Sequence, residues 1–242
     1  MGTVVSFAVR PAAGQGRAAA RRAIAAACRV LHQADAVFST YQPASPVSRL
    51  RRGEAAAADL PAEVGAVLEL CAQARDVSGG WFDPWALPGG VDPTGLVKGW
   101  AVERAAEVLR AAGTAAAMVN GGGDIAVFGQ PEPGQGWRAG IQHPWRPGSL
   151  ACIVEVRAAV ATSGSYERGA HLLDPFTGGP ASRAASATVT GPSLPLADAL
   201  ATALAAGGDE VLRRIGALAG YAGYLIRPDG TEADAGGMPF AR

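Results

Sequence analysis

The chain reads as an α+β protein built from two interlocked halves, with largely antiparallel sheets flanked by helices. Two observations predict this class. Segments whose apolar residues recur at helical spacing alternate along the chain with short strand pairs of hairpin type. The glycine cluster of NGGGD, residues 120–124, joins a strand to a strand rather than a strand to a helix, so the dinucleotide fingerprint of a doubly wound parallel sheet does not apply. A third, the lack of any repeat or long linker, predicts a single domain over residues 1–242.

Residues 3–10 alternate like a strand, and residues 17–37 form a helix with Ile24, Cys28, Leu31 and Ala34 inward. The stretch FSTYQPASPVSRLRRG, residues 38–53, leaves that helix as a Pro- and Ser-rich loop. A second helix begins near Pro61, packs through Val64, Val67, Leu68 and Cys71, and ends before Gly79 and Gly80; WFDP and a short Pro/Gly loop follow. In VDPTGLVKGWAVERAAEVLRAAG, residues 91–113, Ala101, Val102, Ala105, Val108 and Leu109 share one face and Gly113 supplies the stop. AAMVN and DIAVFG are strands joined at the glycines, and WRAGIQ, LACIVEV and AAVATSG continue an antiparallel meander. LADALATALAAGG and DEVLRRIGALAG are helices, and GYLIRPDG closes as a strand and turn.

At 242 residues, 49% of them hydrophobic, the chain can bury a substantial core without a metal or disulfide. Lys plus Arg and Asp plus Glu are each 21, so no basic nucleic-acid footprint is evident. Cys28, Cys71 and Cys152 are odd in number and set among apolar neighbours, which predicts buried free thiols in a reducing compartment. The N-terminus lacks the features of a signal peptide and no apolar run reaches membrane-spanning length; the expectation is a cytoplasmic protein.

Chemistry concentrates in three places. Asp92 and Lys98 lie at the mouth of the 91–113 helix, where Gly95 and Gly99 let the backbone approach a ligand and point free amides at an anion. That suggests a phosphate-bearing ligand, although a capped helix with a lysine in its first turn fits the same residues. In LADALATAL, Asp198 and Thr202 fall four residues apart on one helical face among small alanines. A carboxylate and a hydroxyl so placed suit magnesium; a cap and a back-bonded threonine is the competing reading. The stretch 161–180 gathers Thr162, Ser163, Ser165, Tyr166, His171, Asp174 and Thr177. His171 is the histidine there, a candidate for proton transfer or for stabilising a charged phosphoryl group, with a structural role as the alternative. Tyr41 and Trp81-Phe82 sit beside turn formers, where rings either stack on a flat ligand or pack in the core.

Taken in register, MGT, FSTYQPASPVSRL, GGWFDP, DPTGLVKGWAVERAAEVLRAAG, NGGGDI, ATSGSYER, HLLDPFTG and ADALATAL resemble the ApbE-like flavin transferases, the FAD:protein FMN transferases, over nearly the whole chain. The resemblance implies an enzyme that binds FAD with magnesium, transfers the FMN moiety to a threonine hydroxyl of an acceptor protein, and releases AMP. It implies metal ligation by Asp198, Thr202 and the Gly95 carbonyl, FAD contacts by Asp92 and Lys98, and a flavin nucleotide site lined by Met1, Tyr41, Trp81, Phe82 and Asp83. His171 matches the family's histidine before an Asp-Pro turn and is the implied catalytic side chain. Two departures stand out: PWALPGGV, between Asp83 and Asp92, replaces a far longer insertion of many members, and Arg51 stands where the serine-rich loop usually ends in asparagine. An FAD pyrophosphatase yielding FMN and AMP, and a non-catalytic FAD-binding protein, are the alternatives.

Overall fold

Seven strands form one antiparallel sheet in the order β1-β2-β3-β6-β7-β8-β9, and the two intervening strands stand apart as a hairpin, β4-β5. The computed structural model describes residues 3–164 and 172–241. The strands are β1 Val5–Arg10, β2 Ala116–Gly121, β3 Asp124–Phe128, β4 Trp137–Gln142, β5 Leu150–Val156, β6 Ala159–Gly164, β7 Ser186–Gly191, β8 Ala222–Ile226 and β9 Glu232–Ala235. The helices are α1 Arg17–Phe38, α2 Pro46–Arg51, α3 Ala62–Ser78, α4 Thr94–Ala111, α5 Leu194–Gly207 and α6 Asp209–Ala217. The predicted α+β class, with antiparallel sheets flanked by helices, is the architecture observed. Its two halves, β1–β3 with α4 and β6–β9 with α5 and α6, meet where β3 pairs with β6 and α4 packs on α5.

Strand alternation sends each side chain set to a different core. From β3, Ala126 and Phe128 join the helices while Ile125 and Val127 face the opposite side; from β6, Ala159 and Ala161 oppose Val160. The opposite face is covered by the β4-β5 hairpin through Ala139, Ile141, Val154 and Val156. The predicted meander is therefore broken. WRAGIQ and LACIVEV lie across the sheet instead of continuing it, because Ile125, Val127, Val160, Tyr224 and Ile226 need an apolar cover. Every residue of β3 is buried, as expected for a strand covered on both faces.

The loop predicted over residues 38–53 contains α2. Ser45 caps it by accepting from Ser48 N at 3.1 Å, and Pro46 occupies its first turn, so the Pro and Ser residues that read as loop formers are its start signal. The strands β7 and β9 were not foreseen; SATVTG and EADA are too short and too small or polar to announce themselves. Of the three free cysteines only Cys71 is buried, and burial pushes its thiol up to about 12; Cys28 and Cys152 are half-buried, against expectation. Among the described residues, no helix is long and apolar enough to cross a membrane.

Candidate active site

The site is organised by the crossing of α4 and α5. A Cβ on Gly99 would lie 2.7 Å from the Leu194 carbonyl oxygen and 2.9 Å from Asp198 Cβ, so only glycine permits this approach. A Cβ on Gly95, one turn earlier, would lie 3.1 Å from the Phe82 ring and 3.5 Å from Thr202 Oγ1. Asp198 and Thr202 of α5 thus come down onto the first two turns of α4. Gly99 N–H, which in a regular helix serves the Gly95 carbonyl, donates to Asp198 Oδ2 at 2.9 Å, so that carbonyl shares or loses its intrahelical donor. Glu103, one turn further along α4, accepts from Leu194 N at 2.8 Å and so satisfies an amide at the buried start of α5. Ser163 of β6 reaches Thr202 Oγ1 at 3.4 Å from the sheet side.

A charge cluster lies under this crossing. Lys98 Nζ is 2.8 Å from Asp124 Oδ2, and the Asp124 side chain is fully buried. The contact is a buried ion pair with the Asp198 carboxyl beside it. Burial pushes the Asp124 carboxyl well above the usual range, with the neighbouring Asp198 pushing the same way and Lys98 opposing both. Asp198 is raised too, by burial, against Lys98 and the Gly99 amide. Asp124 arrives there because Gly122 and Gly123, with φ of 63° and 96°, close the β2-β3 hairpin in two residues and pair Gly121 with Asp124.

These groups border a cavity of about 680 Å³, whose lining includes Tyr41, Trp81, Phe82, Asp83, Asp92, Gly95, Lys98, Ser163, Asp198 and Thr202. Such a volume is typical of a small-molecule or cofactor site. Segments separated by more than a hundred residues, the start of α4 and the α5 pair, therefore share one wall system. Asp92 Oδ1 accepts from Thr94 N at 3.0 Å and Thr94 Oγ1 at 2.6 Å, and Oδ2 is ion-paired with Arg51. Asp92 therefore turns the chain into α4, whose N-cap residue is Pro93, and also lines the cavity. Asp83 is held by Arg75 Nε at 2.9 Å and by the turn amide of Trp85 at 2.9 Å. Trp81 and Phe82 are buried core residues that also form wall, with Arg183 over the Trp81 ring at 4.5 Å and Phe176 edge-on at 4.7 Å. Tyr41 is 94% exposed at the rim, the position from which a ring can close on a ligand. Met1 and His171 lie outside the described residues.

The cluster fits a hard cation. Among the described residues it brings two buried carboxyls to one ammonium, and a cation beside them would favour their ionised forms, which burial alone disfavours. Asp198 and Thr202 offer the oxygen ligands magnesium prefers, with open cavity beside them for water and phosphate. Two participants escaped the sequence reading: Asp124, taken as part of a turn, and Arg51, taken only as a departure. A usable signal existed for the first. Lys98 is the sole lysine of an arginine-rich chain, and Asp124 is the one charged residue of an otherwise apolar strand.

Comparison with known proteins agrees with this architecture. The chain is 33% identical over 170 residues to an FAD:protein FMN transferase of Rhodobacter capsulatus, covering 62% of this chain and 32% of that protein. It is 37% identical over 131 residues to one of Vibrio cholerae, covering 50% and 39%. The matched stretches thus span well under half the length of these relatives. The flavin transferase ApbE structure from Vibrio cholerae superposes with a TM-score of 0.84 at 24% identity, over 97% of this chain and 94% of that one. The ApbE protein of Thermotoga maritima gives 0.79 at 21% identity, over 97% and 94%. The ApbE family model matches residues 1–89 and 87–224, nearly the whole of the fold and every wall of the cavity, and the chain belongs to the ApbE family.

Proposed function

We propose that the protein is a magnesium-dependent FAD:protein FMN transferase. The observation that carries the reading is the convergence, in one cavity, of the helix mouth at 92–99 with Asp198 and Thr202. The relatives that bear this activity by name support it.

In this reading FAD lies in the cavity with its pyrophosphate against the first turn of α4. The positive end of the α4 dipole and the Lys98 ammonium oppose the phosphate charge, and Asp124 holds that ammonium in place. Gly95, through its carbonyl, Asp198 and Thr202 would hold magnesium, which supplies further neutralisation of the pyrophosphate as charge builds on the departing phosphate. Tyr41, Trp81, Phe82 and Asp83, which all line the cavity, would contact the flavin nucleotide. The acceptor's threonine oxygen attacks the phosphorus of the FMN half. The P–O bond to the AMP phosphate breaks, a phosphoester forms, and the hydroxyl proton passes to a base. His171 is our candidate for that base.

Incubation with FAD, magnesium and an acceptor protein carrying a flavinylation threonine should yield a covalently flavinylated acceptor and one AMP per flavin. Equal AMP release without acceptor would make the enzyme a pyrophosphatase. FAD left intact under every metal tried would reduce it to a binding protein.

A further inference from the structure

We infer that Arg51 is a positioning residue of the ligand pocket: it neutralises Asp92 at the mouth and fixes the short 84–91 segment, so that an anionic ligand can lie beside that carboxylate. The inference rests on the FAD reading above.

Arg51 ends α2, and its guanidinium divides between two tasks. Nη1 pairs with Asp92 Oδ2, while Nη2 donates to the Pro88 carbonyl at 3.2 Å. Both ionic side chains are only 19% exposed, so the pair is partly withdrawn from water. The segment folds down onto Arg51 itself. Gly90, at φ 97°, sits so close that a Cβ would lie 2.4 Å from the Arg51 carbonyl oxygen. Asp92 N closes the segment by donating to the Pro84 carbonyl at 2.9 Å.

The other end of α2 braces a second stretch of the cavity lining. Ser45 Oγ and Ser48 Oγ both donate to the Ser39 carbonyl, at 2.6 and 3.1 Å. Ser39, Thr40 and Tyr41, held at one end of α2, and Pro88 and Asp92, held at the other, all line the cavity. One short helix therefore ties both groups together, and Arg51 is its only charged link to the 84–92 segment among the described residues.

The electrostatic consequence is direct. Asp92 Oδ1 is committed to Thr94, so the carboxylate cannot turn away from the cavity it lines. Unpaired, it would repel a pyrophosphate arriving at the start of α4; paired with Arg51, it presents no net charge. The shortened segment and the arginine belong together, because the guanidinium supplies the anchorage that a chain of eight residues lacks.

Binding of FAD, with neutral riboflavin for comparison, tests this in the Arg51→Gln, Arg51→Ala and Arg51→Lys variants, each first checked for a cooperative thermal transition. Arg51→Gln keeps a donor for Pro88 without the charge. We expect Arg51→Gln and Arg51→Ala to raise the Kd and KM for FAD about tenfold, with kcat within about twofold, riboflavin affinity little changed, and the gap narrowing in high salt. Arg51→Lys should restore FAD affinity. Parent-like FAD binding in Arg51→Ala overturns the inference, as does equal weakening of FAD and riboflavin that lysine does not restore, which would mark a purely structural brace. A parent protein that binds no FAD removes the functional reading, and this inference falls with it.

Discussion

Replacing Gly99 by alanine sets two effects of known size against each other. In an isolated helix the change favours folding by about 1 kcal/mol, because alanine restricts the unfolded chain and glycine does not. Here the new methyl would stand 2.7 Å from the Leu194 carbonyl oxygen, about 0.7 Å inside the 3.4 Å at which ordinary contact begins. Neither obstacle is a flexible side-chain end: one is backbone, the other is Asp198 Cβ. The helices must separate, at an overpacking cost of about 1–3 kcal/mol, so we expect no gain and a net loss of up to about 2 kcal/mol. The functional effect is larger. Separation moves Asp198 and Thr202 away from the first turn of α4, and a displacement approaching 1 Å costs about 100-fold in rate. Urea unfolding and the magnesium dependence of AMP release measure the two effects on the same sample. A variant stabilised by about 1 kcal/mol with unchanged magnesium dependence would refute the close-approach reasoning.

Three further perturbations test the charges around this crossing. Lys98→Met should cost about 3 kcal/mol in urea unfolding, because it strands Asp124 buried and unpaired; adding Asp124→Asn should recover most of it, and a double variant no more stable than the single would contradict the pairing. Asp198→Ala should retain a cooperative melt but lower magnesium-dependent AMP release by about 100-fold or more, and unchanged activity would remove the metal assignment. Burial raises the Glu103 carboxyl above its ordinary value, against the Leu194 amide that opposes the shift. A folded-state value above the unfolded one means that its protonation adds stability at acid pH, which is lost as pH rises through the folded value. Glu103→Gln keeps an acceptor for Leu194 and does not titrate, so its melting temperature should overtake the parent's between about pH 4 and neutrality; a constant difference across that range would show that Glu103 does not titrate as described.

What the sequence disclosed divides along a physical line. Elements held by their own periodicity were legible: the apolar faces of α1, α3 and α4, and the strand pair around Gly122 and Gly123, need no partner to be recognised. Elements defined by what they pack against were not. The β4-β5 hairpin alternates like any meander strand, and only the apolar far face of the sheet explains its displacement. The candidate site behaves likewise. The four-residue spacing of Asp198 and Thr202 is local and was visible, whereas Gly99 to Asp198 spans 99 positions and Arg51 to Asp92 spans 41, with no periodicity to couple them. Asp92, Lys98 and Gly95 were singled out, but not that Asp92 serves Thr94 and Arg51 simultaneously. Met1 entered through family resemblance alone, whereas His171 stood out in its dense polar stretch as well as by resemblance.

On the proposed function, the first two turns of α4 serve both the metal and the nucleotide. Gly95 and Gly99 turn toward α5, and Lys98 turns toward the β2-β3 hairpin. On the next turn Val102 fills the space above Gly121, where a Cβ would approach its Cγ2 to 2.5 Å. The helix is therefore held close to α5 at Gly99 and close to the sheet at Gly121. A charge carried on such a frame cannot retreat when an anion arrives, and the favourable interaction is not diminished by reorganisation of the protein. Lys98 is itself a long side chain, but its ion pair with Asp124 holds it before a ligand arrives, so that up to about 2 kcal/mol of rotamer entropy is not lost on binding. Glycine at the crossing and a buried carboxylate behind the lysine thus serve one end: holding the Lys98 ammonium in place where, on the proposed function, a pyrophosphate would lie.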